Sequence, residues 1–354
     1  MTIAFYVPHL FKIQKPGFGN FIVGTLFLLI QQHPEHRFII ITGKELSGQF
    51  SVHPTVEIII VNPISKNALL KKVWWEIKLP AILKKTGADF FVSPENVCSL
   101  TAPVPQCIVI PDIEKTRAGY IKKARLLIVT NKLMKNELTE KYKIPGEKVA
   151  VIYPSPNKMY EIINTEEKEI IKDKYSDGKE FFLFNSTFSR QEDFVNLLKS
   201  FSHFKKRQQS NFKLLLSAPS TSFFEKNLAD YKYRNEVRFI DPKEKKDHVL
   251  LTGSAYAIVL PFSANENIIA ALNAMRSGVP VIAVKNSVVN EVAGDAGLYA
   301  ETASIKDIGE KMMQIYKDED HRSELIEKGK QAVSAYTDEK AAELFGESIL
   351  KVLQ

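Results

Sequence analysis

The sequence predicts an α/β protein made of two doubly wound domains with mostly parallel sheets. Three observations carry that expectation. The chain has 354 residues, long for one domain and natural for two of middling size. Short apolar, β-branched runs alternate with helical patterns along its length. A proline-rich break, Tyr153-Pro154-Ser155-Pro156-Asn157, separates two series of such runs.

The first series reads Ile3–Val7, Phe38–Thr42, Glu57–Val61, Phe90–Ser93, Cys107–Ile110, Leu127–Thr130 and Val149–Tyr153. The second reads Phe181–Asn185, Lys213–Ser217, Val237–Ile240, Tyr256–Leu260 and Val281–Val284. Most lack polar alternation, the mark of strands covered on both faces by helices. Phe21–Ile30 is apolar but ends in Gln31-Gln32-His33, and a bilayer span needs about 20 such residues. It reads as a core helix under a sheet. Trp74 and Trp75 lie in a helical run with Leu69, Leu70, Val73, Ile77 and Leu79, which points to core packing. The flanking Lys66, Lys71, Lys72, Lys78, Lys84 and Lys85 leave a membrane-facing patch as the alternative. At the break, two prolines end a strand and stiffen a linker. The expected domains are therefore 1–155 and 156–337. Thr165–Lys174 is charged and helical in pattern, and the chain closes on amphipathic stretches at Ile305–Tyr316, His321–Tyr336 and Asp338–Leu353.

Hydrophobic content of 45% and charged content of 25% are ordinary for a globular protein with real cores. Two cysteines make neither a disulfide framework nor a metal site, so a reducing, cytoplasmic compartment is expected. The opening MTIAFYVPHL has no basic stretch and reads as a buried strand, not a signal peptide. The net charge of +7 is uneven. Residues 1–150 hold 20 Lys+Arg against 11 Asp+Glu, or +9, leaving 28 against 30, or −2, in the rest. A basic first half suits an anionic membrane face or a phosphorylated acceptor; nucleic acid rests on charge alone and is not expected. There is no P-loop, no metal-ligand spacing and no nucleophile elbow. The seven histidines look scattered, as surface or packing residues.

The stretch LPFSANENIIAALNAMRSGVPVIAVKNSVVNEVAGDAGLYAE, residues 260–301, is the most telling. A strand enters a polar loop, an amphipathic helix, a Gly-Val-Pro turn and a second strand. It resembles the donor-binding half of family 4 glycosyltransferases, and the resemblance extends in weaker form over most of the chain. That implies the GT-B fold, two facing Rossmann-like domains with the last helix, 338–354, packing back on the first. It implies a retaining glycosyltransferase. Such an enzyme moves a sugar from a nucleotide-sugar to a cell-surface glycan or lipid-linked acceptor, with no cofactor and no metal. It also implies polysaccharide biosynthesis in the cytoplasm; the charge split, with its basic first domain, adds the expectation of peripheral contact at the inner face of the membrane.

Residue by residue, the resemblance places Gly17 and Gly19, in a turn before the first helix, near the donor phosphates. Ser186, Thr187 and Arg190 fall in the loop after a second-domain strand, with Gln191-Glu192 where relatives carry an Arg-Lys pair. Ile240 lies by the base, and Asn265, Glu266, Asn267 and Asn273 fall on the donor loop and helix. Relatives carry glutamates at the positions of Asn265 and Asn273, and glycines where Glu266-Asn267-Ile268-Ile269 stands. Pro111 replaces a family histidine, and Asp112 is left on the acceptor side. Glu291 reads as structural. No catalytic residue is assigned. The clustered departures sustain an alternative: a catalytically degenerate GT-B protein that binds a glycan, a nucleotide or a partner enzyme.

Overall fold

The computed structural model describes residues 1–7, 16–43, 54–61, 67–188, 190–208, 210–217, 221–241, 245–265, 267–301 and 304–353. The chain divides into two compact units: Met1–Ser155 with Thr337–Gln354, and Pro156–Tyr336.

In the first unit the order along the chain is β1 (Thr2–Tyr6), α1 (Pro16–Gln32), β2 (Arg37–Thr42) and β3 (Val56–Ile60). Then come α2 (Ala68–Val73), a π-helical turn Trp74–Lys78, α3 (Leu79–Thr86), β4 (Phe90–Ser93) and β5 (Gln106–Val109). α4 (Ala118–Lys123), β6 (Leu126–Val129), α5 (Lys132–Tyr142) and β7 (Val149–Val151) complete the series. The seven strands pair in parallel in the order β3-β2-β1-β4-β5-β6-β7. Continuous apolar runs fit this sheet because both faces are covered: Phe38, Ile39, Ile40 and Ile41 are all fully buried.

The second unit contains α6 (Thr165–Ser176), β8 (Phe181–Phe184), α7 (Gln191–Arg207), β9 (Lys213–Leu216), α8 (Ser222–Ala229) and β10 (Val237–Phe239). It continues with α9 (Lys245–Ser254), β11 (Ala257–Leu260), α10 (Asn267–Arg276), β12 (Val281–Val284), α11 (Val288–Ala293) and β13 (Gly297–Ala300). α12 (Ile305–Lys317) and α13 (Glu319–Val333) close it. Its six parallel strands run β10-β9-β8-β11-β12-β13. α7 buries Phe194, Leu197, Leu198, Phe201 and Phe204, at helical spacing, into a phenylalanine-rich core with Phe182 and Phe212. Burying each such side chain contributes roughly 1.5–3 kcal/mol. α12 crosses α7 so closely that a Cβ on Gly309 would lie 2.7 Å from the Ser200 carbonyl oxygen.

The last helix, α14 (Asp338–Leu353), belongs to the first unit. Its Ala341, Phe345 and Ile349 join the core formed by Phe5, Phe21, Leu26 and Leu29.

Three expectations need correction. Pro16-Gly17-Phe18-Gly19-Asn20 does not precede the first helix but opens it. Proline suits a first turn, where its missing N–H has no partner to lose. A thirteenth strand, β13, went unread because its four residues begin on a glycine inside the Gly-Asp-Ala-Gly-Leu step. Trp75 is core, 2% exposed, whereas Leu69, Leu70 and Ile77 of the same run are 69%, 55% and 63% exposed. Among the described residues no helix is long and apolar enough to cross a membrane.

Candidate functional site

In a doubly wound sheet the ligand crevice opens where strand order reverses, beyond the carboxyl ends of the two strands that part there. In the second unit those strands are β8 and β11. Asn267, fully buried at the start of α10, joins the two loops that follow them. Its Oδ1 accepts from the Ser186 hydroxyl at 2.7 Å, and its Nδ2 donates to the Phe262 carbonyl at 2.7 Å. Phe188 adds an apolar anchor, stacked on Phe184 at 4.2 Å with Phe262 at 6.0 Å. The loop after β8 is thus held to the loop after β11 by one buried amide and one ring.

Sequence reasoning missed Asn185. Its Nδ2 donates to Thr252 Oγ1 at 3.4 Å, while its buried Oδ1 has no hydrogen-bond partner among the described residues. An orphaned acceptor at the end of β8 is a mark of a polar site. A strand-terminal asparagine was the available signal. Nearby, Ser217 Oγ and His248 Nδ1 lie 3.4 Å apart.

The remaining predicted residues scatter around this centre. Thr187 is exposed and Asn265 is partly buried; the Asn265 carbonyl accepts the Ile268 N–H at 3.4 Å. Ile268, where relatives carry a glycine, is itself buried, 1% exposed. Glu266 lies outside the described residues. Ile240 extends β10, its N–H donating to the Leu216 carbonyl at 2.9 Å. Asn273 is only 7% exposed, and its Oδ1 accepts the Asn157 N–H at 2.9 Å, so the oxygen expected to meet a ribose already carries one bond.

Arg190 is largely exposed just before α7, as a solvated loop arginine would be, but its guanidinium is paired with an acid. Its guanidinium donates to Asp193 Oδ1 at 2.7 Å and Oδ2 at 3.4 Å, and Asp193 is buried. That hydrogen-bonded carboxylate raises the Arg190 pKa further. Glu192 is exposed in the first turn of α7, where an acid suits the helix dipole. Glu291 lies in the first turn of α11, its carbonyl accepting the Tyr336 hydroxyl at 3.5 Å.

In the first unit, Gly17 and Gly19 lie in α1. Asp112 is tied into a turn: its Oδ1 accepts the Glu114 N–H at 3.0 Å and Lys115 Nζ lies 3.1 Å from Oδ2. The histidines are not all scattered. His33, Glu35 and His36 bring potential ligand atoms within 4.8 Å of one another, with His33 Nδ1 3.1 Å from Glu35 Oε1. The spacing is that of a tight turn, i, i+2 and i+3, which no usual metal motif covers.

Residues 165–332 match the family described as glycosyl transferases group 1. Among curated proteins, the chain is similar to an uncharacterized glycosyltransferase, YqgM, of Bacillus subtilis. The two are 27% identical over 221 residues, covering 62% of this chain and 58% of that one. The O-antigen chain mannosyltransferase RfbU of Salmonella typhimurium is 25% identical over 183 residues, 51% of this chain and 47% of that protein. The matched stretch thus spans about half the length of these curated relatives. Among solved structures, a glycosyltransferase from Rickettsia africae superposes with TM-score 0.74 at 17% identity, covering 99% of this chain and 97% of that one. Anabaena Alr3699/HepE in complex with UDP and glucose gives TM-score 0.73 at 14% identity, covering 99% and 100%. These likenesses establish the fold, GT-B.

Proposed function

We propose that this chain, whose residues 165–332 form a glycosyl transferases group 1 domain, moves a sugar from a nucleotide-sugar to a glycan or lipid-linked acceptor with retention at the anomeric carbon. The observation that carries the reading is the coincidence of that family match with the crevice-forming point of the second unit, where Ser186 and Asn267 join the ends of β8 and β11. The base is proposed to lie along the backbone at residues 239–241, the ribose near Asn273, and the pyrophosphate by the loop of Ser186 and Thr187. With Glu192 in the first turn of α7 and Arg190 held by Asp193, the pyrophosphate meets little positive charge, so donor affinity is expected to be weak. The reaction is proposed to need no metal, so chelation with EDTA leaves its rate unchanged. The chain is proposed to work in the cytoplasm at the inner membrane face. Exposed Leu69, Leu70 and Ile77 beside Lys71, Lys72 and Lys78 support that placement.

A second reading has its own support. Arg190 is committed to Asp193, Asn273 Oδ1 to Asn157, and amides stand where relatives carry glutamates. On that reading the chain binds donor or glycan without turning it over. Calorimetry with UDP-glucose and GDP-mannose, followed by an assay for released nucleotide, separates the two. Binding with release supports transfer, and binding without release supports the degenerate protein. Failure of every nucleotide-sugar to bind refutes both forms of the donor site.

A further inference from the structure

The turn from α1 into β2 reads His33-Pro34-Glu35-His36. Proline disfavours helix in the residue before it and suits the second position of a β-turn, so α1 ends at Gln32 and the chain reverses at once. The His33 N–H still reaches the Leu29 carbonyl at 3.1 Å, and the His36 N–H closes the turn on the His33 carbonyl at 3.0 Å. That closure gathers two imidazoles and a carboxylate. His33 Nδ1 lies 3.1 Å from Glu35 Oε1, and His36 Nε2 lies 3.5 Å from the same oxygen. The three side chains bring their ligand atoms within 4.8 Å of one another.

Those spacings suit one small cation. Ligands about 2.0–2.1 Å from a tetrahedral zinc stand about 3.3–3.4 Å from one another. Both ring nitrogens of His36 are buried with no hydrogen-bond partner among the described residues, a desolvation cost that a bound ion offsets. The rings of His33 and His36 are 5.5 Å apart and nearly parallel, and turning them about the soft Cβ–Cγ torsion aims both lone pairs at one ion. Gly346 of α14 sets which nitrogen His33 offers. A Cβ there would lie 2.8 Å from His33 Nε2, so that edge of the ring is packed on the helix and Nδ1 is left facing Glu35. The electrostatics also favour a cation. The turn follows a 17-residue helix whose last carbonyls carry partial negative charge. The hollow over His33 is lined by Glu339, Glu343 and Glu347 against Lys340.

We infer that His33, Glu35 and His36 form a site for a divalent first-row transition metal ion such as zinc, with water in the fourth position on the exposed side of Glu35. Two imidazoles and one carboxylate are donors that suit such an ion, whereas calcium and magnesium favour oxygen ligands. His33 and His36 share a small apolar hollow with Leu29, Ile349 and Leu350, so an ion here braces the turn against α14. The site lies at the amino ends of β1 and β2, where Thr2 is registered on Arg37, while the ligand crevice of such a sheet opens at the carboxyl ends. Its role is therefore structural, apart from sugar transfer, and it does not rest on that reading.

Zinc is the probe, titrated into untagged, chelator-stripped protein in competition with a chromophoric chelator of known affinity. One tight equivalent is expected to bind. Affinity should fall about tenfold or more in His33→Ala and in Glu35→Gln, because even the outer partner of a metal ligand is worth about 10–100-fold. His321→Ala removes an imidazole that lies 3.5 Å from Glu324 in the second unit, and it should leave the affinity unchanged. Glu35 is exposed, so Glu35→Gln keeps the test free of any loss of folding at the more buried histidines. Excess magnesium should not compete. The Tm of wild type should rise with zinc, since the fold assembles the ligands, and that of Glu35→Gln should rise less. Absence of saturable zinc binding overturns the assignment. So do unchanged affinity in His33→Ala and Glu35→Gln, displacement by magnesium, or a Tm that zinc leaves unmoved.

Discussion

Asn267→Ala tests whether the donor-side crevice is held together as described. The substitution removes two hydrogen bonds of 2.7 Å from a fully buried side chain. Each contributes about 0.5–1.5 kcal/mol net, and a buried partner left unpaired costs about 1–3 kcal/mol. The two partners differ. Ser186 is partly exposed and its hydroxyl can turn to water, but the carbonyl of buried Phe262 cannot. Alanine also gains about 0.6 kcal/mol of helix propensity at the start of α10. The balance is a loss of roughly 2–3 kcal/mol. Urea unfolding followed by far-ultraviolet circular dichroism measures it, because both tryptophans report on the first unit. Ser186→Ala and the double variant complete a cycle, with an expected coupling of about 1 kcal/mol. A loss under about 1 kcal/mol, or no coupling, refutes the claim that Asn267 joins the ends of β8 and β11.

Three further outcomes are expected. Gly309→Ala should destabilise by about 1–3 kcal/mol despite better helix propensity, since its Cβ would sit 2.8 Å from His203 Cβ as well as against Ser200; Gly119→Ala, with nothing within 4 Å, should not, and thermal melts compare them. Cys98, pushed up to about 12 mainly by burial, and Cys107, raised by burial with Cys98 adding to it, should resist iodoacetamide at pH 8 in the native protein and react fully in urea, as mass spectrometry would record. Co-sedimentation with anionic vesicles should fall steeply with salt and disappear when four of Lys71, Lys72, Lys84, Lys85, Lys122 and Lys123 are neutralised. Each contributes about 1 kcal/mol near such a surface, within a Debye length of about 8 Å; binding that survives the changes refutes a lysine-based contact.

Much of the fold was legible because parallel strands leave a plain trace. Phe90–Ser93 and Val281–Val284 were read to the residue, and most other strands to within one or two, since uninterrupted apolar runs have few other uses. Four-residue β13 left no such run. Gly17 and Gly19 were misplaced because glycine before a helix and glycine within its first turn look alike in sequence; the core contacts of Phe21, Ile22 and Leu26 decide the matter. The site was legible as chain positions but not as pairings. Sequence spacing put Ser186 and Asn267 on two separate loops, and only the sheet order brings them to bonding distance. Arg190 was read against a donor phosphate, while its partner, Asp193, stood three residues on, in the first turn of α7.

The placement of α14 has a consequence during synthesis. The first unit needs Ala341, Phe345 and Ile349 to complete its core, yet the whole second unit, Pro156–Tyr336, is made in between. A ribosome adding about 5–20 residues per second supplies them roughly 10–40 s after Ser155. Through that interval the faces of Phe5, Phe345's ring partner, and Leu29 lack their cover. The first-made half of this chain is therefore the last to be finished, and a nascent-chain chaperone has its longest opportunity on the apolar floor that α14 will close.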